Sequence, residues 1–470
     1  MTSIQHVENN EESVAVTGEG GLSRTGITTK AMHRDVWQLA FPIILSNISV
    51  PLLGIVDTAV VGHLPGPQYI GAVAIGALIF GFLYWGFGFL RMGTSGFTAQ
   101  ALGAGNGVEV RSVLARGLIV AALFSLLVLI FQWPLKVLAF GLINASGQVE
   151  ILAWEYYQAR IWGAPATLAN YAIVGWFIGI RNTRAVLIMQ LVMNGLNIVL
   201  DLWFVMGLGL GVAGVAWASV ISEFVAIGIG FILVRRNLLI IGGHWIKERI
   251  FDTDKLKRLI AVNRDIFLRT LCLQAAFALF TALGARMGDA VLAANAILLN
   301  FQSLMAYALD AFAHAVGALA GGFLGAKDRN SFRQAVKVST FWAVIFAIIL
   351  SLFYGLFGGL LVDFMTDIED VRALSRVYLP WMVLTPLISV WSFQLDGIFI
   401  GATRTADMRN AMMISLLVFF FALGLLVPAY ANHGLWAALI VLMITRAITL
   451  GGYYPALEKS VDAKPETQLF

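Results

Sequence analysis

The chain has 470 residues, of which 59% are hydrophobic and 12% charged, with 31 Lys and Arg against 27 Asp and Glu for a net charge of +4. A soluble chain carries about 25% charged residues, so this composition excludes a large water-soluble catalytic domain and points to a bilayer, where about 20 apolar residues make one spanning helix. The single cysteine, Cys272, excludes an internal disulfide and any CxxC metal or redox motif, and reads as a thiol packed in a helix.

Residues 1–34 are polar, with Glu8, Glu11, Glu12 and Glu19 among Ser, Thr, Asn and Gly, and no apolar targeting core precedes the first hydrophobic run. They read as a disordered cytoplasmic tail. Cutting the rest at Gly, Pro, Asn and charge clusters predicts twelve helices at 36–64, 68–103, 109–140, 150–179, 184–207, 211–236, 264–287, 290–325, 331–362, 371–402, 408–430 and 433–456. The interval 237–263, rich in Lys and Arg, becomes a cytoplasmic linker between an N-lobe at 35–236 and a C-lobe at 264–456, and 457–470 is a second cytoplasmic tail.

Lys and Arg near span ends stay on the cytoplasmic side. With the N-terminus inside, 24 of the 31 fall on that side, four fall outside (Lys136, Arg286, Arg372, Arg376), and three lie within spans (Arg160, Arg269, Arg446). The bias predicts a multi-pass protein of the cytoplasmic (inner) membrane with both termini inside. A shift of 222 residues lays GAVAIGALIFGF from Gly71 on AANAILLNFQSL from Ala293, and GWFIGIRNT from Gly175 on GIFIGATRT from Gly397. Six spans per repeat leave both halves pointing the same way. The expected fold is therefore an all-α integral membrane protein with twelve transmembrane helices in two pseudo-symmetric six-helix lobes around a central cleft.

Carboxylates inside hydrocarbon cost several kcal/mol on insertion scales, and those that persist mark cavities or proton paths. The candidates are Asp57, Asp201, Glu223, Asp310 and Asp396. Asp57 lies seven residues before the end of the first span and Asp201 six before the end of the fifth, so both sit roughly 10 Å below the same membrane face. Asn197 shares the Asp201 helix face. Two acids and an amide with no cation at their depth in those spans suit loading and release of a proton, a proton-coupling set of Asp57, Asn197 and Asp201. Pro42 and Pro51 interrupt the first span and make it a hinge candidate. Asp310 and Asp396 form a candidate C-lobe polar site open to a structural or a functional role, Glu223 reads as structural, and His314 stacks one turn after Asp310 as a polar pair rather than a metal ligand.

AFPIILSNISVPLLGIVDTAVVGHL, GAVAIGA, LGAGNGVEVR, NIVLD and LDGIFIGATRT together resemble the multidrug and toxic compound extrusion (MATE) family, DinF-like branch, from about residue 35 to 456. The resemblance implies a MATE-like fold and efflux of diverse, often cationic compounds in exchange for protons or sodium. It places the cation-coupling role on Asp57, Asn197 and Asp201 and the bend of the first helix at Pro42. The chain departs from the pattern at Gly317, where many DinF-like sequences carry a Glu, which leaves a C-lobe ion site unassigned.

The reading is a proton-coupled multidrug antiporter working by alternating access, in which protonation of Asp57 bends the first span. It has small organic drugs or toxic compounds, H+ and membrane lipid as partners, no nucleic acid, no cofactor beyond the gradient, and a monomeric state. Sodium coupling is the nearest alternative. A lipid-linked precursor flippase would need more basic side chains facing the cleft than Arg160, Arg269, Arg446 and Arg91 supply, and no GxSxG or HExxH motif supports an enzyme.

Overall fold

The computed structural model describes residues 28–142 and 146–462, except for the side chains of Pro51, Leu52, Ile55, Thr58 and Leu142. The Pro51 half of the hinge expectation therefore concerns a side chain outside the described ones. All regular structure among the described residues is helical. Helix α1 spans Thr29–Val61, α2 Pro67–Gly103, α3 Gly107–Ile130 with a shorter continuation at Gln132–Leu142, α4 Gly147–Gly179 and α5 Thr183–Gly207, and α6 Gly211–Ile241. The second half holds α7 Thr253–Ala285, α8 Asp289–Ala326, α9 Arg329–Met365 and α10 Glu369–Gly401. A last stretch, Thr405–Lys459, breaks at Ala431, whose φ is +48°, into α11 (405–430) and α12 (432–459). Ten helical stretches are long and apolar enough to cross a bilayer. The 33-residue α1 and the break at Ala431 complete the twelve expected spans.

The halves repeat in backbone detail. Left-handed residues end spans at Gly105 (φ +67°), Arg181 (+62°), Lys327 (+57°) and Thr403 (+54°), and 327 − 105 and 403 − 181 both equal 222, the sequence repeat. The next residue caps the following helix in three of the four cases: Asn106 accepts from Glu109 N at 2.9 Å, Asn182 from Ala185 N at 3.2 Å and Asp328 from Ser331 N at 3.0 Å. Each capping side chain satisfies an amide that the first turn would leave without a partner.

Two expected boundaries move. Helix α1 starts at Thr29, inside the stretch assigned to the tail, with Thr28 Oγ1 accepting from Ala31 N at 3.3 Å. The linker expected at 237–263 shrinks to 242–252, because α6 continues to Ile241 and α7 begins at Thr253, capped by Asp252, with only a turn of helix at Lys247–Ile250 between. Basic residues favour helix as readily as apolar ones, so charge clusters end the membrane-spanning part of a helix without ending the helix.

Helices α1 and α2 form the meeting line of the halves: α1 packs on α8 and α9, and α2 packs on α4 on one side and on α8, α10 and α7 on the other. Towards the linker-side end of α2 the backbones touch: a Cβ at Gly96 would overlap Ile400 O, one at Gly103 would overlap Gly322 O, and one at Gly325 would overlap Gln100 O. Gln100 Nε2 also donates across the seam to Gly401 O at 2.9 Å and Thr403 Oγ1 at 3.2 Å. Small residues let membrane helices approach this closely, and the dispersion gained depends on it. Gly103→Val is therefore expected to wedge α2 from α8 and destabilise the protein by about 1–3 kcal/mol, read as a lower thermal unfolding midpoint in detergent. Gly195→Val, at a position where a Cβ would meet nothing, is the control with an unchanged midpoint.

Candidate functional site

The first half builds its site where α1, α4, α5 and α6 converge. Pro42 has no N–H, so the Gln38 carbonyl one turn earlier loses its helical partner. Thr183 Oγ1, at the start of α5, donates to that carbonyl at 3.2 Å, and Ser46 Oγ donates to Pro42 O at 2.9 Å. The helix thus passes through Pro42 with one bond fewer in its own ladder and a replacement from α5. Higher up, Asn194 Nδ2 donates to Ser49 Oγ at 2.8 Å, and Gln190 Nε2 to Asn194 Oδ1 at 3.0 Å. Gln190, Asn194, Asn197 and Asp201 form one polar stripe along α5, a spacing of four, three and four that presents them to α1 and α6.

At the top of the stripe Asp201 is fully buried, Asn197 is 1% exposed and Asp57 is half-buried. The Asp57 and Asp201 carboxyl groups lie within electrostatic reach of each other. Two carboxylates so placed repel when both are ionised, so the pair favours holding one proton. Asn197 Nδ2 donates to Ser219 Oγ on α6 at 3.1 Å, which orients the amide beside the acid pair. Immediately after Asp201 the helix widens into a π-helical segment, Leu202–Gly207, an irregularity often found at functional sites. The structure thus brings together Asp57, Asn197 and Asp201 as the depth argument expects.

Arg160 on α4 adds a feature that the two-span argument could not contain. It lies close enough to act on Asp57 electrostatically, but its guanidinium grips Glu223 on α6 through two bonds of 3.0 and 2.6 Å, and Thr167 Oγ1 donates to Glu223 at 2.9 Å. The cation is thereby neutralised beside the acid pair and not by it. Gly163 is required here, since a Cβ would overlap Arg160 Nη1 and approach Glu223 Oε2 to 2.9 Å. The bland reading of Glu223 as a structural ion-pair partner fits this geometry. The signal for the pair is an Arg and a Glu each near the middle of an apolar span, and their pairing needs the α4–α6 contact.

In the second half, Asp396 accepts at Oδ2 from Arg269 Nη1 at 2.7 Å and from Arg446 Nη2. Asp396 is thus the centre of a buried ion triad across α7, α10 and α12. Asp310 is not hydrogen-bonded to it; it lies within electrostatic reach of Arg91, Arg269, Arg446 and Asp396. No hydrogen bond joins Asp310 to His314 among the described residues; His314 is 9% exposed and lies within electrostatic reach of Arg91. Arg91, counted with the cytoplasmic residues by sequence, lies 12 residues from the linker-side end of α2, about 18 Å deep. The departure at Gly317 also has a steric cause: a Cβ there would come within 2.8 Å of Gly397 O, so the α8–α10 crossing has no room for a glutamate. No group of three His, Cys, Asp or Glu among the described residues could hold a metal.

Twelve repeated spans meeting along one seam, with ionisable groups held inside, define a polytopic membrane protein of the carrier class. The MatE family model matches residues 42–203 and 266–426, once in each half. The chain is 41% identical over 427 residues to DNA damage-inducible protein F of Escherichia coli, covering 90% of this chain and 92% of that one. It is 22% identical over 437 residues to the probable multidrug resistance protein NorM of Thermotoga maritima, covering 88% and 90%. A solved structure described as MATE in the bent conformation superposes with a TM-score of 0.82 at 20% identity, over 93% of this chain and 100% of that one. The chain belongs to the MatE family, in its DinF-like branch.

Proposed function

We propose that the protein exports organic compounds, many of them cationic, in exchange for protons, with Asp57 and Asp201 as the coupling pair and Asn197 as their polar partner. The observation that supports this reading is the juxtaposition of a half-buried carboxyl group on α1 and a buried one on α5, because such a pair favours holding one proton between them and its α1 member sits on the helix that bears Pro42. Changing the proton count changes the contact, and α1 yields at Pro42, where its ladder already lacks a bond. Drug and proton then favour different positions of α1, as exchange requires. The family membership supports efflux of small molecules across a membrane; the basic bias favours a cytoplasmic-membrane orientation with both termini inside.

A flippase reading loses support, since Arg160, Arg269 and Arg446 are engaged by Glu223 and Asp396, which leaves Arg91 alone of the four to meet a pyrophosphate. Sodium is the competing ion, as carboxylate oxygens suit it. In proteoliposomes loaded with a cationic dye, an imposed pH gradient without sodium is expected to drive export, and a sodium gradient at uniform pH to drive none. Export on the sodium gradient alone would replace the proton in this reading.

A further inference from the structure

At the linker-side end of α6 the chain makes a left-handed turn at Gly242 and Gly243, with φ of +75° and +74°. The turn folds back over the first residue of α3, where a Cβ at Gly107 would meet the Ile241 and Gly242 carbonyl oxygens at 3.1 and 3.2 Å. Arg111, one turn into α3, reaches across and donates from Nε to Gly242 O at 2.8 Å and from Nη2 to Leu238 O at 2.6 Å. It thereby satisfies carbonyls that the end of α6 leaves open. Its guanidinium also lies 5.6 Å from the centre of the Trp245 ring.

These residues line a groove of about 280 Å³ on the outer face of the bundle, formed by Arg111, Phe231, Arg235, Leu238, Leu239 and Trp245 with Val234 at its floor. Phe231, Arg235 and Leu239 are spaced by four and share one face of α6, and all three are exposed. The face is apolar above and below Arg235, so an arginine stands in a lipid-facing row. Such a cation is costly unless it finds an anion at the headgroup level. Among the described residues neither Arg111 nor Arg235 has a carboxylate partner; Glu109, the nearest acid in sequence to Arg111, is taken by Arg116 and Lys255.

We propose that this groove binds the headgroup of an anionic phospholipid, with the phosphate held between Arg111 and Arg235 and an acyl chain lying along Phe231 and Leu239. The charge is complementary, the aliphatic row continues into the membrane from the basic pair, and Trp245 supplies the amphipathic ring that favours the interface. A lipid bound there would brace the end of α6 against α3, next to the linker that joins the two halves. The site is independent of the coupling pair and of which way the protein is inserted, because both leaflets of a nanodisc contain the lipid.

The test uses the full chain in nanodiscs of equal parts phosphatidylglycerol and phosphatidylcholine, released and weighed by native mass spectrometry. The parent is expected to retain phosphatidylglycerol in preference to phosphatidylcholine. Arg235→Gln, at an exposed position, is expected to reduce that retention about fivefold, the worth of one interfacial arginine, and Arg235→Lys to restore part of it. Lys337→Gln, an exposed basic residue of α9, serves as the control and is expected to change nothing. Equal retention of the two lipids by the parent, an unchanged preference in Arg235→Gln, or an equal loss in Lys337→Gln would each overturn the assignment. So would displacement of phosphatidylglycerol by inorganic phosphate, which would put a soluble anion in the groove.

Discussion

Asp57→Asn is expected to lower pH-gradient-driven export by roughly a hundredfold, the scale on which a positioned proton-transfer group acts, with the protein still folded. Asparagine has nearly the shape of aspartic acid, and its amide can donate to the Asp201 carboxylate, so the packing of α1 on α5 survives. What disappears is the exchangeable proton. Asp201→Asn removes it from the other side and is expected to have a similar effect. The double variant is expected to lose little more than either single one, because two groups that share a proton work as a unit. Dye export from proteoliposomes reads all three, with unfolding temperature as the check on integrity. Full export by Asp57→Asn under the pH gradient would remove this pair from the coupling mechanism.

Glu223→Ala is expected to be the most damaging substitution for stability. Arg160 and Glu223 are each 8% exposed, and the pair is bidentate with Thr167 filling a further lone pair. Taking one partner away leaves a buried charge uncompensated, at a cost of about 3–5 kcal/mol, whereas replacing both by apolar side chains of similar volume is close to neutral. Glu223→Ala should therefore fail to accumulate or unfold well below the parent, and Glu223→Leu combined with Arg160→Met should recover most of the loss. The readout is the unfolding midpoint in detergent for each variant. The same comparison bears on coupling: with Glu223 gone, Arg160 is free to pair with Asp57 and hold it ionised, so any surviving export by the single variant should have lost its dependence on the pH gradient.

The parts of this fold that were legible in the amino-acid order share a physical origin. Spans are set by runs of apolar residues, orientation is expected from loop charge, and the repeat from a fixed offset; each is a property of one stretch or of two stretches laid side by side. The offset of 222 reappears in the left-handed turns at Gly105 and Lys327 and at Arg181 and Thr403, since those turns are local conformations. The depth of Asp57 and Asp201 could be counted from span ends because a helix advances by a constant rise. The polar stripe Gln190, Asn194, Asn197 and Asp201 is equally legible from its spacing.

By itself, then, the sequence determined the membrane class, the twelve spans, the duplicated plan and the shared depth of the acid pair. Only the tertiary structure decided which charges cancel. Arg160 meets Glu223 across 63 residues, and Asp396 meets Arg269 and Arg446 across 127 and 50, so one intramembrane cation is withheld from Asp57 and the expected C-lobe site becomes an ion triad. The reason is that the cost of burying a charge depends on the partner within a few ångströms, and that partner is supplied by another helix. Gly317 follows the same logic: its lack of a side chain is explained by the Gly397 carbonyl on α10, a neighbour that the order of residues along α8 does not reveal.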